Sequence, residues 1–326
     1  MKLIQLQRYG SPETTCACIE IDDLASPAAG EVLVQIKASA INPADLLIFE
    51  DRYPGPESLP AFVGIEGAGE VIAVGEGVKE LQAGDHVMSL GRANWAEQVC
   101  GPAEQFIPIP AQLPWKDAAQ LKANPPSAEL MLSQYETLQA GDWVVQNAAN
   151  SAVGRHVISF CKAKGLKSIN VVRRLELIPV LEALGADMVL VDSEDLGDRV
   201  RREIGADASV KLGIDALGGA ATSRLADCLS TSGTVVNYGF LSGEPCQMTP
   251  THTIVKGLTL KGFWLVGYMR STPREQIVEM YQRMSQAFIN GDISVPVEAE
   301  YKLAEIEKAL QHANRPERRG KVLLVP

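Results

Sequence analysis

A run of small residues lies where an apolar strand meets an amphipathic helix. Trp143–Gln146 reads as the strand, and Val153, Val157, Ile158 and Cys161 recur at helical spacing after it. Small residues let the backbone approach a pyrophosphate, and a helix N-terminus offers free N–H groups and a positive dipole end. In a G-x-G-x-x-G register only Gly154 is a glycine, so an ordinary strand-to-helix turn is the alternative. The candidate phosphate-binding residues are Asn150, Ser151, Ala152, Val153 and Gly154.

Two arginines follow the next predicted strand, Ser168–Val172. Arg173 lies nineteen residues beyond Gly154, and Arg174 comes directly after it. A site for NAD usually has a carboxylate at this distance, which accepts hydrogen bonds from the ribose 2′-hydroxyl. Paired guanidinium groups favour a 2′-phosphate instead. The sequence therefore predicts NADPH as the cofactor, and a solvated arginine pair at a sheet edge is the alternative.

Composition narrows the classes of partner. The 326 residues carry 40 acidic and 30 basic side chains, so the formal charge of −10 disfavours nucleic acid and anionic lipid. No apolar run is long enough to span a membrane. Six scattered cysteines without C-x-x-C pairs predict reduced thiols rather than a structural zinc lobe. Together with the absence of an apolar or Arg/Ser-rich leader, these features predict a cytoplasmic protein.

The spacing of the apolar residues changes along the chain. The first third alternates short strands with turns, as in Glu31–Lys37, and predicts an antiparallel β domain. From Asp142, strands and helices alternate, which predicts a parallel sheet covered on both faces. The tail predicts helices near Pro273–Asn290 and Leu303–Ala313 and a final strand, Lys321–Val325. The fold class is therefore α/β.

One segment resembles the signature of the medium-chain dehydrogenase/reductase superfamily. The segment runs from Gly64 to Val71 as Gly-Ile-Glu-Gly-Ala-Gly-Glu-Val, and Ala83-Gly84-Asp85-His86-Val87 follows. In the zinc-dependent alcohol dehydrogenases of this superfamily, a cysteine and a histidine hold the catalytic metal. Asn42 and Ile65 stand at the matching positions here, so we expect no catalytic zinc. The four histidines also lack ligand spacing.

Within the superfamily, five stretches are similar to the trans-2-enoyl thioester (enoyl-CoA or enoyl-ACP) reductases of type II fatty-acid synthesis. The stretches are Ile41–Asp45 with Tyr53-Pro54, Gln146–Gly154, Ile169–Arg173, Asn237–Gly239 and Lys261–Leu265. The resemblance implies a GroES-like antiparallel β catalytic domain over residues 1–118 and a Rossmann doubly wound, NADPH-binding domain over 119–265. Residues 266–326 would return to complete the catalytic domain.

The resemblance also implies roles for individual residues. Tyr53 matches the proton donor, and Asn42 and Trp264 are the other catalytic candidates. The cofactor would be bound by Asn124, Asn150, Ser151, Ala152, Val153, Gly154, Arg173, Arg174, Tyr238, Gly239, Phe240, Leu241, Phe263, Trp264, Leu265 and Lys321. Two residues depart from the family pattern, Leu47 in place of a second asparagine and Leu175 in place of the last clamp arginine. A packing role is the alternative for Tyr53, and a core position is the alternative for Trp264.

These residue types suit the reduction of an activated C=C bond. The cofactor delivers a hydride to the β-carbon, and the protein must orient the alkene and supply a proton to the α-carbon. A phenol is protonated at neutral pH yet acidic enough for this step. A zinc-free NADPH quinone or enone reductase and a non-catalytic NADPH-binding protein are the alternatives.

Partners follow from the same resemblance. The substrate would be a small molecule or an acyl thioester carried by CoA or an acyl-carrier protein, and a homodimer is expected. A basic group formed by Arg315, Arg318, Arg319 and Lys321 is a candidate docking site for an acidic carrier, with a solvated C-terminal turn as the alternative.

Overall fold

The chain forms two units in a computed structural model that describes residues 1–205 and 208–326. The first unit contains residues 1–123 and 273–326, and the second contains residues 124–272. The sequence placed these boundaries after residues 118 and 265. The second unit extends from the helix that begins at Asn124 to the helix that ends at Ser271.

Strands make up the sheets of both units. In chain order they are β1 (Lys2–Leu6), β2 (Cys16–Glu20), β3 (Glu31–Ala40), β4 (Ala61–Phe62), β5 (Ala68–Val74), β6 (His86–Ser89), β7 (Gln98–Pro102), β8 (Phe106–Pro108), β9 (Trp143–Gln146), β10 (Lys167–Val172), β11 (Met188–Val191), β12 (Val210–Asp215), β13 (Thr234–Asn237), β14 (Thr259–Gly262), β15 (Val297–Tyr301) and β16 (Lys321–Leu324).

Helices alternate with the strands mainly in the second unit. They are α1 (Pro12–Thr15), α2 (Pro43–Phe49), α3 (Trp115–Ala118), α4 (Asn124–Gln134), α5 (Ala152–Ala163), α6 (Ile178–Leu184), α7 (Leu196–Ile204), α8 (Ala220–Cys228), α9 (Leu265–Ser271), α10 (Arg274–Asn290) and α11 (Ile306–Ala313). Short 3₁₀ turns cover Ala103–Gln105, Leu175–Leu177 and Leu303–Glu305, and a π-helical turn covers Thr251–Val255.

The first unit is built on a mostly antiparallel sheet. Its strand order is β15-β16-β3-β5-β6-β8, and β7 also pairs with β3; β1, β2 and β4 form a smaller antiparallel sheet. The last strand, β16, pairs with the end of β3. Leu323 lies opposite Ala40, and the N–H of Ile41 donates to the carbonyl of Val322 at 3.1 Å. Residues 42 and 321 therefore become neighbours although nearly the whole chain separates them.

The second unit is a parallel sheet of six strands in the order β11-β10-β9-β12-β13-β14. The order reverses direction at β9, from which the chain moves first to β10 and β11 and later to β12. Ligands of doubly wound sheets bind outside the carboxyl ends of the strands at such a switch point. The predicted combination of an antiparallel β domain with a Rossmann domain is confirmed.

Local signals located most of these elements. The strand predicted at Trp143–Gln146 has those bounds, and α6 ends at Leu184 because Gly185 takes a left-handed conformation with φ of 105°. The helix predicted over Leu303–Ala313 begins instead as a 3₁₀ turn and becomes α-helical at Ile306. Within the described residues, no helix combines the length and the apolar character needed to cross a membrane.

Glu298 of β15 holds the turn that precedes the last strand. Its carboxylate accepts hydrogen bonds from the N–H groups of Arg319 at 2.5 Å and Gly320 at 3.0 Å, and it lies 3.2 Å from Nε2 of His312. Burial raises the pKa of Glu298, but the hydrogen bonds from His312 and the two amides outweigh it and lower the pKa below its ordinary value. The charged form of Glu298 therefore stabilises this turn.

We expect Glu298→Gln to lower the free energy of unfolding by about 1 kcal/mol at pH 7, a modest value because Glu298 is partly exposed. A carboxyl whose pKa is lower in the folded state contributes above its unfolded pKa of about 4.3, and the contribution is lost as pH falls through the folded pKa. Urea unfolding at several pH values measures the difference. Glu300→Gln on the same strand is the control. An equal difference between variant and wild type at pH 3.5 and pH 7 would contradict the charge-dependent role.

Candidate active site

The candidate phosphate turn opens α5. Ser151 caps this helix, and its Oγ accepts the N–H of Gly154 at 3.1 Å. The N–H groups of Ala152 and Val153 precede the first intrahelical bond and have no acceptor among the described residues. A helix start of this kind binds anions, because the unpaired donors and the dipole both attract negative charge.

Gly154 makes the close packing at this turn possible. A Cβ on Gly154 would lie 2.5 Å from the carbonyl oxygen of Ala149, inside any real contact distance. Gln146 of β9 fixes the same point, since its Nε2 donates to the Gly154 carbonyl at 2.9 Å and to Oδ1 of Asn170 at 2.7 Å. Gly154, the one glycine present in the G-x-G-x-x-G register, is therefore the residue at which the backbone requires a glycine.

A buried carboxylate organises the switch point beside the turn. Asp215, at the end of β12, accepts hydrogen bonds from Nδ2 of Asn147 at 2.6 Å, Oγ1 of Thr222 at 2.7 Å and Nδ2 of Asn237 at 3.1 Å. The sequence prediction missed Asp215 and Asn147. The available signal was that polar residues end three neighbouring parallel strands, where buried apolar residues are usual.

The residues from Tyr238 to Leu241 follow the next strand, β13. The phenol of Tyr238 faces Ser151, so two predicted cofactor residues lie close together at the turn. Burial raises the pKa of Tyr238, and the neighbouring Ser151 side chain lowers it less. Gly239 lies against β12, where a Cβ would come 2.7 Å from the carbonyl oxygen of Ala216, and Phe240 and Leu241 continue the loop.

The arginine pair lies at the end of β10. Arg173 is exposed and makes no ion pair with any described residue, whereas Nε of Arg174 lies 3.3 Å from Glu176. Leu175, which replaces the expected clamp arginine, is 71% exposed. The guanidinium of Arg173 is therefore available to an added anion, and Arg174 follows it directly in the chain.

The segment after β14 presents an aromatic side chain to solvent. Phe263 is tied to β13 by its N–H, which donates to the Asn237 carbonyl at 2.9 Å. Trp264 is 41% exposed, and the guanidinium of Arg270 lies 5.5 Å from its ring centre. The core alternative for Trp264 is therefore wrong. Leu265 begins α9, and Asn124, at the start of α4, belongs to the same unit.

In the first unit, Asn42 caps α2 and belongs to a buried hydrogen-bond network. Its N–H donates to Oδ2 of Asp45 at 2.8 Å, and the N–H of Ile65 donates to Oδ1 of the same carboxylate at 2.9 Å. Burial raises the pKa of Asp45 to about 6, although the two backbone hydrogen bonds lower it. Through Asp45, these hydrogen bonds join the start of α2 to the segment Gly64–Val71.

The side chain of Asn42 bridges two charged groups. Its Nδ2 donates to Oε1 of Glu66 at 2.6 Å, and its Oδ1 accepts a short hydrogen bond from Nζ of Lys321. Lys321 is only 5% exposed, so it cannot belong to a basic surface patch with Arg315 and Arg319. The structure corrects that prediction and places Lys321 with Asn42. Glu66 and Lys122 complete the network and were not among the predicted site residues.

Tyr53 lies on the loop after α2. The chain turns there through Asp51, whose φ is 56°, and Nη2 of Arg92 donates to the Pro54 carbonyl at 2.7 Å. Tyr53 is half-buried and packs against the apolar cluster that includes Ile41 and Leu46. Asn42 and Tyr53 therefore flank the same short helix.

Comparison with known proteins identifies the family of this chain. The family models "Alcohol dehydrogenase GroES-like domain" and "Zinc-binding dehydrogenase" match residues 28–111 and 152–286. Mitochondrial enoyl-[acyl-carrier-protein] reductases from Caenorhabditis elegans and Rattus norvegicus are 38% and 33% identical over 94% of this chain, covering 89% and 85% of those proteins.

Two solved structures are similar over the whole chain. A putative NADPH:quinone reductase from Bacillus thuringiensis is 26% identical with a TM-score of 0.93, over 100% of this chain and 98% of that one. The complex of Candida tropicalis Etr1p with NADP and crotonyl-CoA is 25% identical with a TM-score of 0.89, over 100% and 99%. Both kinds of reductase considered from the sequence are thus represented.

The predicted cytoplasmic location is contradicted by the relatives, which are named as mitochondrial enzymes. The prediction relied partly on cysteine usage, and all six cysteines are indeed free. Free thiols indicate a reducing environment but do not identify the compartment. The prediction of a cytoplasmic location is therefore wrong.

The residues around Asn42 do not fit the zinc ion that the second family description names. Ile65 has no donor atom, and the Asn42 amide is bonded to both Glu66 and Lys321. The nearby ammonium group would also repel a divalent cation. Among the described residues, no group of three or more His, Cys, Asp or Glu side chains is arranged to hold a metal.

We expect Gly154→Ala to destabilise the protein by about 1–3 kcal/mol, because the added methyl forces the start of α5 away from Ala149. The same movement displaces the unpaired N–H groups, so NADPH affinity should fall at least about tenfold. Urea unfolding and fluorescence titration with NADPH measure the two effects. Gly213→Ala is the control, since its Cβ meets only side-chain carbons at 3.6–3.7 Å. Equal behaviour of the two variants would refute the close-packing argument.

Proposed function

Because this chain belongs to the enoyl reductase family of the medium-chain dehydrogenases/reductases, we propose that it reduces the C=C bond of a trans-2-enoyl thioester with NADPH. The observation that carries the proposal is the 38% identity to an enoyl-[acyl-carrier-protein] reductase over 94% of the chain. The chain is an NADPH-dependent oxidoreductase acting on C=C bonds. The product is the saturated acyl thioester, carried by CoA or an acyl-carrier protein.

The residues of the second unit fit NADPH. When bound, the cofactor supplies the hydride for the β-carbon. The donors of Ala152 and Val153 would hold the pyrophosphate, with Asn150, Ser151 and Gly154 shaping the turn. Arg173 and Arg174 would bind the 2′-phosphate. The wall of the site would comprise Asn124, Tyr238, Gly239, Phe240, Leu241, Phe263, Trp264 and Leu265.

Tyr53 would provide the proton for the α-carbon. Its loop is fixed by the hydrogen bond from Arg92 to the Pro54 carbonyl and by packing on the apolar cluster, which restrain the phenol. A general acid must be held in this way, because proton transfer requires a defined position. Asn42 and Lys321 would add fixed hydrogen-bond donors and positive charge.

A zinc-free quinone reductase is the second candidate. It is supported by the TM-score of 0.93 to a putative NADPH:quinone reductase. Both candidates need the same dinucleotide turn, so the choice between them depends on the substrate. A panel of enoyl thioesters and quinones, each with NADPH, distinguishes the two. Tight NADPH binding without any turnover would instead indicate a non-catalytic binding protein.

A homodimer is part of the proposal. The edge strand β14 supports it, because its residues Thr259–Gly262 are all exposed and Leu260 is an apolar side chain among them. Exposed edge strands of this kind pair readily with a second chain. Sedimentation of the purified protein measures the oligomeric state.

We expect Tyr53→Phe to lower kcat for crotonyl-CoA reduction by about 100-fold or more, since general acid catalysis contributes factors of this size. The dissociation constant for NADPH should stay within about twofold. Following NADPH oxidation at 340 nm measures the rate. Tyr301→Phe, which removes a hydroxyl that hydrogen-bonds with Nδ1 of His312 in the same unit, is the control. An unchanged rate in Tyr53→Phe would remove this residue from the mechanism.

We expect Arg173→Ala to weaken NADPH binding about 10-fold to 100-fold, because charge-assisted hydrogen bonds to the 2′-phosphate are lost. NADH lacks this phosphate, so its affinity should not change. Calorimetric titration with both cofactors measures the effect, and Arg315→Ala is the control. Equal losses for NADPH and NADH would show that Arg173 does not read the 2′-phosphate.

A further inference from the structure

Two lysines are buried in the first unit, and their surroundings differ. Nζ of Lys122 donates to the carbonyl oxygens of Ile65 at 2.6 Å, Gly91 at 2.7 Å and Leu90 at 2.8 Å. All three of its N–H groups therefore have acceptors. Nζ of Lys321 donates to one atom, Oδ1 of Asn42, and has no second acceptor among the described residues. Two of its N–H groups are left for an acceptor from outside the chain.

A buried ammonium with unmet donors is costly. Leaving a buried polar group without its hydrogen bond destabilises the fold, and more so when the group is charged. The two nearby carboxylates do have partners, since Asp45 accepts two backbone N–H groups and Oε2 of Glu66 accepts the N–H of Ala123 at 3.0 Å. The unmet donors of Lys321 therefore indicate a position where a bound molecule supplies an oxygen.

The position of Lys321 depends on Glu66 through one amide. Asn42 donates to Glu66 with Nδ2 and accepts from Lys321 with Oδ1, so the amide can be oriented in only one way. An aspartate at residue 42 would oppose Glu66, and a serine would be too short to reach both groups. Glu66 thus affects the position of Lys321 through the Asn42 side chain that lies between them.

We propose that Glu66 is a positioning residue, which fixes the Lys321 ammonium through Asn42 so that its two remaining donors bind an oxygen of the cofactor or the substrate. This inference deepens the proposed function and rests on it for the identity of the bound molecule. The shared chemistry is an oxygen acceptor, either a hydroxyl or carboxamide of the nicotinamide half or the carbonyl of the thioester.

The charges around Lys321 make the role of Glu66 measurable. Burial lowers the pKa of Lys321; among the charges that face it, Glu66 and Asp45 raise the pKa and Arg318 lowers it. Glu66 also faces Lys122 and Tyr281. Because Glu66 favours the charged ammonium, neutralising it must lower the pKa of Lys321. Activity that needs the ammonium is lost as pH rises through that pKa, so the alkaline limb must move to lower pH.

The test is Glu66→Gln, which keeps the shape and an acceptor for Asn42 but removes the charge. We expect the alkaline limb of kcat/KM for crotonyl-CoA to move down by about one pH unit or more, with a loss of about tenfold at pH values above both limbs. Glu70→Gln is the matched control, since Glu70 lies on β5 and its carboxylate forms an ion pair with Lys37 at 3.4 Å. The profile of that variant should match the wild type. An unmoved limb in Glu66→Gln overturns the proposal.

The two sources of the oxygen give different results. If the oxygen belongs to the cofactor, Glu66→Gln weakens NADPH binding at pH 8 by about the same factor as kcat/KM. If it belongs to the thioester, NADPH affinity is unchanged and the loss appears with crotonyl-CoA. Either result supports a positioning role. Loss of thermal stability with neither change would show that Glu66 is only structural.

A second measurement does not depend on turnover. NMR of protein labelled with ¹³C at the lysine Cε gives the titration of Lys321, assigned by the signal that disappears in Lys321→Arg. The midpoint should fall in Glu66→Gln, and an unchanged midpoint overturns the inference for any substrate. A shifted midpoint without enoyl thioester reduction would reject the proposed function alone. If Glu66→Gln does not fold, Asn42→Ala breaks the bridge while keeping both charges, and an unchanged profile there also overturns the proposal.

Discussion

Burial of the Lys321 ammonium is the constraint on which the first unit depends. A charged amine away from water requires compensating charge and hydrogen bonds. Asn42, Glu66 and Asp45 supply them from α2 and the signature segment, and the pairing of β16 with β3 brings residue 321 to residue 42. The C-terminal return is therefore an electrostatic part of the site as well as a strand of the sheet.

In the second unit, the buried carboxylate of Asp215 has a corresponding role. Asp215 gathers donors from Asn147, Thr222 and Asn237, so the ends of β9, β12 and β13 and the start of α8 are held at fixed separations. The turn between β9 and α5 then needs only small residues and one glycine to present its N–H groups. The absence of two of the three usual glycines is tolerated because the turn is fixed from the strand side, by Gln146 and Asn147.

Much of the fold was predictable from periodicity, because β9 and α5 are set by local patterns of apolar residues. The local structure of the candidate phosphate turn was predictable where one residue type carries the role, as with the helix cap Ser151 and the closely packed Gly154. The buried environment of Lys321 could not be predicted, since a lysine at the first residue of a strand is expected to be exposed. Its burial follows from long-range pairing, and Lys122 and Asp215 were missed for the same reason. Trp264 was ambiguous because residue type alone does not decide whether a tryptophan is buried, and in the structure it is 41% exposed.

The resemblance drawn from the sequence puts Asn42 and Ile65 at the positions of two zinc ligands, and in this chain an amide bridge and an ammonium supply the charge there. A metal dication concentrates charge at one point and demands ligand geometry, whereas an ammonium spreads one charge over three donors. The single charge needs fewer anionic neighbours, so Glu66 and Asp45 suffice where thiolate and imidazole ligands are absent. In our proposal two of the three donors bind an oxygen, and the Asn42 amide, which hydrogen-bonds with Glu66, positions the ammonium that carries them.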